Sequence, residues 1–176
     1  MSLRAKRIKR TQKDYKELLT LYQNAFPAVE RFPVWRLRLL SHWKGVHSIA
    51  FYDGEVLCGF SYFLVNEATV FILFLAVTPK VRSKGYGSQI LSWIRENYPD
   101  RALFLDVEKP DDQAANHLQR EKRIAFYERN GVFDTGQYFI HNGVPYEILC
   151  TNRDFTEQDY NENLESHFRI FQKKHR

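Results

Sequence analysis

Long apolar runs are missing from this chain, and that excludes a membrane-spanning helix. The longest, V-F-I-L-F-L-A-V at residues 70–77, falls well short of the roughly 20 apolar residues a bilayer requires. The basic first residues lead into no apolar h-region, so no secretory signal is read there. Cysteine is nearly absent: Cys58 and Cys150 are the only two in 176 residues. That excludes a secreted disulfide scaffold, and two buried thiols in strand-like segments of a cytoplasmic protein are expected. No group of His and Cys has metal-ligand spacing, so no metal site is expected. Glycine (8) and proline (6) are also sparse, and no repeat, low-complexity tract or linker divides the chain. One domain over residues 1–176 is expected, with its core at 7–151 and a C-terminal helix at 156–172.

What is present describes a packed globular protein. Hydrophobic residues make up 44% and aromatic residues 15%, above what disordered chains carry. The net charge is +5, and the positive residues gather at the ends, as R-A-K-R-I-K-R from Arg4 and K-K-H-R at the finish. Such runs are ordinarily solvated, and a nucleic-acid partner is disfavoured. The same balance suits a smaller polyanion, such as a nucleotide cofactor.

Periodicity and turn signals give the order of elements. An edge strand is expected at 3–11. Residues 14–26 carry Tyr15, Leu18, Leu19, Tyr22 and Phe26 at helical spacing, closed by Pro27. A second short helix follows at 33–43. Strands at 46–52 and 55–65 are joined by Asp53-Gly54, a tight-hairpin signal. The nearly all-apolar strand at 69–77 should be central. Residues 88–98 put Ile90, Leu91, Ile94 and Tyr98 on one helical face. A strand at 102–107 and a long helix at 111–130 come next, then strands at 133–140 and 145–151 across Asn142-Gly143. Thr156 caps a final helix with Tyr160, Leu164, Phe168 and Phe171 on one stripe. Hairpins between some strands and helical crossovers around another require mixed pairing. The expected fold is α/β (α+β): a mixed, mostly antiparallel central sheet flanked by helices.

The segment V-R-S-K-G-Y-G-S-Q-I-L, starting at Val81, joins the central strand to a helix. A glycine-rich turn there leaves unpaired N–H groups at a helix N-terminus. The helix dipole adds about half a positive charge. Gly85 and Gly87 permit unusual backbone angles and let an anion approach with no Cβ in the way. Lys80, Arg82 and Lys84 add mobile positive charge. A pyrophosphate would suit this turn; an ordinary strand-to-helix connection is the plain alternative. Two rival phosphate motifs do not fit. A P-loop needs Gly-Lys-Ser/Thr at the helix start, where this chain has Gly87-Ser88-Gln89. The dinucleotide fingerprint needs three glycines in an early βαβ unit.

R-S-K-G-Y-G at residues 82–87 resembles the Q/R-x-x-G-x-G/A signature of the Gcn5-related N-acetyltransferases. Downstream, R-I-A-F-Y-E-R-N-G at residues 123–131 is similar to that family's A-x-x-F-Y-x-x-x-G-F segment. The order of the two, and the strand between them, also fit, over about residues 7–151. The resemblance implies acetyl-CoA (coenzyme A) as cofactor and an N-acetyltransferase activity. It implies that the backbone of Leu75, Ala76 and Val77 pairs with the pantetheine arm. The amides of Arg82, Ser83, Lys84, Gly85, Tyr86, Gly87 and Ser88 would hold the pyrophosphate. Tyr127 matches the tyrosine placed near the cofactor sulfur. Two departures stand out. Val132 intervenes between Gly131 and Phe133, and the asparagine often found seven positions before the tyrosine is Arg120 here. Asn116 lies one helical turn earlier, so its contact with the cofactor is not carried over.

Acetyl transfer from a thioester needs a neutral amine, an aligned carbonyl and a stabilised thiolate. Deprotonating an alkyl amine of pKa about 10.4 at pH 7 costs roughly 4–5 kcal/mol. A base, a water chain or a depressed amine pKa must supply part of that. A phenol such as Tyr127 is a sensible general acid for the thiolate. For the base, Glu108 at the end of L-D-V-E, Glu30 in A-F-P-A-V-E-R-F-P, and a relaying water all stand open. Glu108 has a structural alternative in pairing with Arg123, and Glu67 in simple solvation. His117 and His141 read as surface or capping residues. Phe26, Phe32 and Trp35 around Glu30 would make an aromatic acceptor wall with one negative charge. A small-molecule amine and a peptide or protein amine both satisfy it, as does a plain core. A homodimer is compatible with the sequence. Neither cysteine lies in the motifs, so direct attack in a ternary complex is expected. A non-catalytic acyl-CoA-binding or regulatory module is the alternative, and a basic nucleic-acid-associated protein a more distant one.

Overall fold

The computed structural model describes residues 3–141 and 143–172, with side chains through residue 165. Asn142 of the expected turn, the Phe168 and Phe171 side chains, and the basic end at 173–176 lie outside the described residues. Among the described residues, seven strands and five helices follow the expected order. They are β1 (Arg4–Arg7), α1 (Tyr15–Ala25), α2 (Val34–Leu40), β2 (Val46–Asp53), β3 (Val56–Val65) and β4 (Thr69–Val77). A 3₁₀ turn at Pro79–Val81 leads to α3 (Tyr86–Asn97), β5 (Ala102–Glu108), α4 (His117–Arg129), β6 (Phe133–His141), β7 (Val144–Cys150) and α5 (Glu157–Gln172). Hydrogen-bonded neighbours run β1-β2-β3-β4-β5-β7-β6, a mixed sheet that is mostly antiparallel.

The chain forms two compact units, one of residues 1–65 and 72–99, the other of 66–71 and 100–176. In the first unit, alternation along the strands sorts side chains onto two faces. Ser48 lies opposite Tyr62, and Ala50 opposite Phe60, on the face that meets α1 and α2. There Tyr22 of α1 packs edge-on to Phe74 with centroids 5.1 Å apart, and Phe26 does so at 4.8 Å. The other face carries Phe51 against Trp93 and Phe63 against Tyr98, both from the α3 side. In the second unit, β4 begins parallel to β5, with Thr69 opposite Ala102 and Phe71 opposite Phe104. Phe104 is the hub, stacked on Phe71 at 4.9 Å and on Phe155 at 5.1 Å. Cys58 and Cys150 are both buried and free. No helix among the described residues is long and apolar enough to cross a membrane.

Four boundaries differ from the sequence expectation by two residues or more, each for a local reason. The first strand stops at Arg7 because the Lys9 and Gln12 backbone and the Gln12 side chain close a turn there. The second helix ends at Leu40, where His42 and Trp43 bond three residues back rather than four. The third begins at Tyr86, two residues early, with Gly85 as its left-handed N-cap. The fourth begins at His117 rather than 111. Asp111 accepts from the Gln113 N–H through its side chain and the Ala114 N–H through its carbonyl, holding the preceding loop in turns.

Candidate functional site

The glycine turn lies wholly in the first unit. Val81 and Arg82 close the 3₁₀ turn, and the first α-type bond of α3 runs from Gln89 N–H to the Gly85 carbonyl. Among the described residues, the backbone N–H groups of Ser83, Lys84, Gly85, Tyr86, Gly87 and Ser88 have no acceptor. Ser83 and Gly85 supply the left-handed geometry, with φ of 64° and 79°. Gly87 lies in the first turn of α3 and has no positive φ. A Cβ on Gly85 would project into open space. Arg82 and Lys84 are exposed with no ion-pair partner among the described residues. Lys80 is not mobile charge, because its ammonium pairs with Glu17 of α1 at 2.9 Å. A run of amides that find no acceptor among the described residues, at a helix start beside Arg82 and Lys84, fits a pyrophosphate.

Tyr86 anchors this turn rather than facing outward. Its hydroxyl donates to Asp53 Oδ2 at 2.6 Å, tying α3 to the β2–β3 hairpin. That carboxylate contact leads the causes that push the phenol up to about 12. Gly59 is a positioning residue that sequence reasoning missed. A Cβ there would come within 2.3 Å of the Ala76 carbonyl and 3.1 Å of Val77 Cα. Beside it the β2–β3 register slips: Phe51 faces Gly59, and Tyr52 faces Leu57, leaving Cys58 bulged. The Cys58 carbonyl accepts the Thr78 N–H at 2.8 Å. This close approach sets the path of β4 at Ala76 and Val77. A lone glycine inside an apolar strand was the available signal.

The candidate acid and one candidate base lie in the second unit. Tyr127 of α4 is 7% exposed, and its hydroxyl has no hydrogen-bond partner among the described residues. Burial pushes it up to about 12, against a smaller lowering from Arg123. Glu108, at the end of β5, is also 7% exposed. Arg120 Nη2 donates to its Oε1 at 3.1 Å and Asn116 Nδ2 to its Oε2 at 3.2 Å. Arg120 Nε also donates to Asn116 Oδ1 at 2.9 Å, closing the triangle. The structural partner anticipated for Glu108, Arg123, stands further off at 3.8 Å. Asn116 is thus committed to Glu108 and Arg120.

Glu30 lies in the first unit, half-buried after a turn in which its N–H bonds the Pro27 carbonyl at 3.0 Å. Phe26 and Phe32 pack on Phe74, whereas Trp35 is 66% exposed. Glu67 is exposed. No cluster of His, Cys, Asp and Glu that could hold a metal occurs among the described residues.

The profile of the Acetyltransferase (GNAT) family matches residues 15–132, and the chain belongs to that family. The whole fold is similar to a putative GNAT acetyltransferase from Bacteroides thetaiotaomicron, at 23% identity and TM-score 0.75, covering 96% of this chain and 97% of that one. It is also similar to a GNAT acetyltransferase from Elizabethkingia anophelis with acetyl-CoA bound, at 12% identity and TM-score 0.57, over 85% and 97% of the two chains. An aminoglycoside 6'-N-acetyltransferase complexed with coenzyme A aligns at 14% identity and TM-score 0.61, over 84% and 95%. No curated protein sequence matches the chain.

Proposed function

We propose that the chain is one acetyltransferase domain that moves an acetyl group from acetyl-CoA to a primary amine by direct attack in a ternary complex. The observation that carries this is the run of unbonded amides from Ser83 to Ser88, shaped by left-handed Ser83 and Gly85, in a chain of the acetyltransferase family. Those amides would hold the pyrophosphate, with Arg82 and Lys84 screening its charge. The backbone of Leu75, Ala76 and Val77 would pair with the pantetheine arm. Bound there, the thioester supplies the activated acetyl group.

The amine nitrogen attacks the thioester carbonyl carbon; the N–C bond forms as the C–S bond breaks. One amine proton would go to a base or to water, and Tyr127, in the role the family segment implies, would supply the departing thiolate with a hydrogen bond or proton. A phenol raised to about 12 facing a thiolate of about 8.5 makes full transfer uphill by roughly 5 kcal/mol. A hydrogen bond that strengthens as charge builds on sulfur is the cheaper contribution. Glu108 would have to release Arg120 and Asn116 before taking a proton. We therefore route the amine proton through water, with Glu30 as the remaining carboxylate.

An acetylation screen over small amines, amino acids and peptides tests this, read by free thiol release. Turnover with at least one primary amine is expected. Donor binding without turnover on any of them would replace the enzyme with an acyl-CoA-binding module.

A further inference from the structure

The first unit holds a cavity of about 480 Å³ lined by residues of α1, α2 and the sheet face beneath them. That volume is in the range of small-molecule sites. Its apolar floor includes Leu18, Tyr22, Phe60, Tyr62 and Phe74. Its basic members are Arg7, Lys9, Arg10, Arg38 and His42, and among the described residues no aspartate or glutamate lines it. Among the described residues none of those arginines or Lys9 pairs with a carboxylate. The guanidinium of Arg7 donates to the Ser41 carbonyl, and a ring nitrogen of His42 bonds the Arg38 carbonyl. Much of the basic run near the chain start is therefore cavity rim. A low-dielectric cleft lined by one sign of charge concentrates the opposite sign.

Ser48 gives a second, independent sign. It lines the cavity and is 6% exposed, yet its hydroxyl has no partner among the described residues. The neighbouring hydroxyls are satisfied: Tyr62 donates to the Leu37 carbonyl at 3.0 Å, and Tyr22 donates to the Phe32 carbonyl at 3.1 Å. Buried hydroxyls in folded proteins are almost always bonded, and a ligand oxygen would complete this one.

We infer that the cavity takes a ligand with an aromatic or aliphatic body and one anionic group, a carboxylate or a phosphate. Resting on the function proposed above, that ligand is the acceptor, an amine that also carries an anion. Phe74 lines the cavity, and Leu75, Ala76 and Val77 continue the same strand. Glu30 is not in the lining, so the negatively charged aromatic wall drawn around it is not the wall of this cavity.

Calorimetric titration without donor tests the ligand class, using 3-phenylpropionate, 2-phenylethyl phosphate and 2-phenylethylamine. Saturable binding of an anionic probe is expected, weakened at least tenfold by Arg38→Glu and about threefold by Ser48→Ala, with both variants melting near the parent. The two anionic arms separate a carboxylate from a phosphate site. Binding of 2-phenylethylamine as tight as the anions, no binding of any probe, or indifference to Arg38→Glu overturns the inference. A parallel titration with acetyl-CoA separates the two proposals. Donor binding without probe binding sinks the cavity's ligand class alone. Probe binding without donor binding sinks the acetyltransferase function and leaves the ligand class standing.

Discussion

Tyr127 and Glu108 show how burial divides two polar side chains of one unit. The Tyr127 hydroxyl is buried without a partner among the described residues, whereas Glu108 is held by Arg120 and Asn116. Deleting an unpaired buried hydroxyl removes an unsatisfied group, so Tyr127→Phe should leave unfolding free energy unchanged or slightly raised. The same variant should lose about a hundredfold in kcat, the lower range for a positioned acid, with the KM for acetyl-CoA nearly unchanged. Denaturant melts and steady-state kinetics together check this. Arg120→Ala leaves the Glu108 carboxylate buried without its main partner and should cost roughly 3 kcal/mol. The more exposed, more distant Arg123 should cost under about 1 kcal/mol. Sequence singles out Tyr127 as an acid candidate because Phe126-Tyr127 sits in a segment similar to the family's. The Glu108–Arg120 pair was not legible there. It depends on where α4 starts after the Asp111 turns, and loop shape leaves little periodic trace.

Among elements, the strand-to-helix turn and the β3–β4 approach need glycine for different reasons. Gly85 has room for a side chain but a φ of 79°, so Gly85→Ala should cost about 1–2 kcal/mol from backbone strain alone. Gly59 lacks room: its Cβ would strike the Ala76 carbonyl at 2.3 Å. Gly59→Ala should cost about 1–3 kcal/mol and raise the KM for acetyl-CoA, because the displaced backbone is the one proposed to pair with pantetheine. Thermal melts with donor titrations check both. The strands and their order were readable from apolar alternation and from Asp53-Gly54. The boundaries failed where side chains capture backbone groups, as Gln12 and Asp111 do. Sequence marks Gly85 as flexible for the right reason, while the second left-handed position is Ser83 rather than Gly87. No propensity rule selects a serine for that conformation.

At the scale of the whole molecule, buried phenols set the alkaline limit. Burial leads the causes that raise Tyr22 and Tyr127 to about 12, and it pushes Tyr62 and Tyr160 higher still. A raised folded-state pKa means the native chain keeps protons that the unfolded chain loses above pH 10. Stability is therefore intact below about pH 10 and falls as pH rises toward the folded values. Melting temperature measured from pH 7 to 11.5 should be flat on this account before dropping, with a shallower drop in Tyr127→Phe. Both units carry such tyrosines, so neither should survive far into that range. The overall architecture and the bare amides of the glycine turn could be read from sequence because both rest on local patterns. The basic cavity could not, since its rim joins residues near 7, 38 and 48 that only folding brings together. The central claim, that the turn at Gly85 holds a coenzyme A pyrophosphate, is tested most directly by thermal melting with acetyl-CoA. At a hundred times its dissociation constant the donor should stabilise by about 2.7 kcal/mol, or roughly 5–11 °C for a chain of this size. Gly85→Glu, which places an anion among the amides, should abolish that shift. No shift in the parent at millimolar acetyl-CoA, or an undiminished shift in Gly85→Glu, would contradict it.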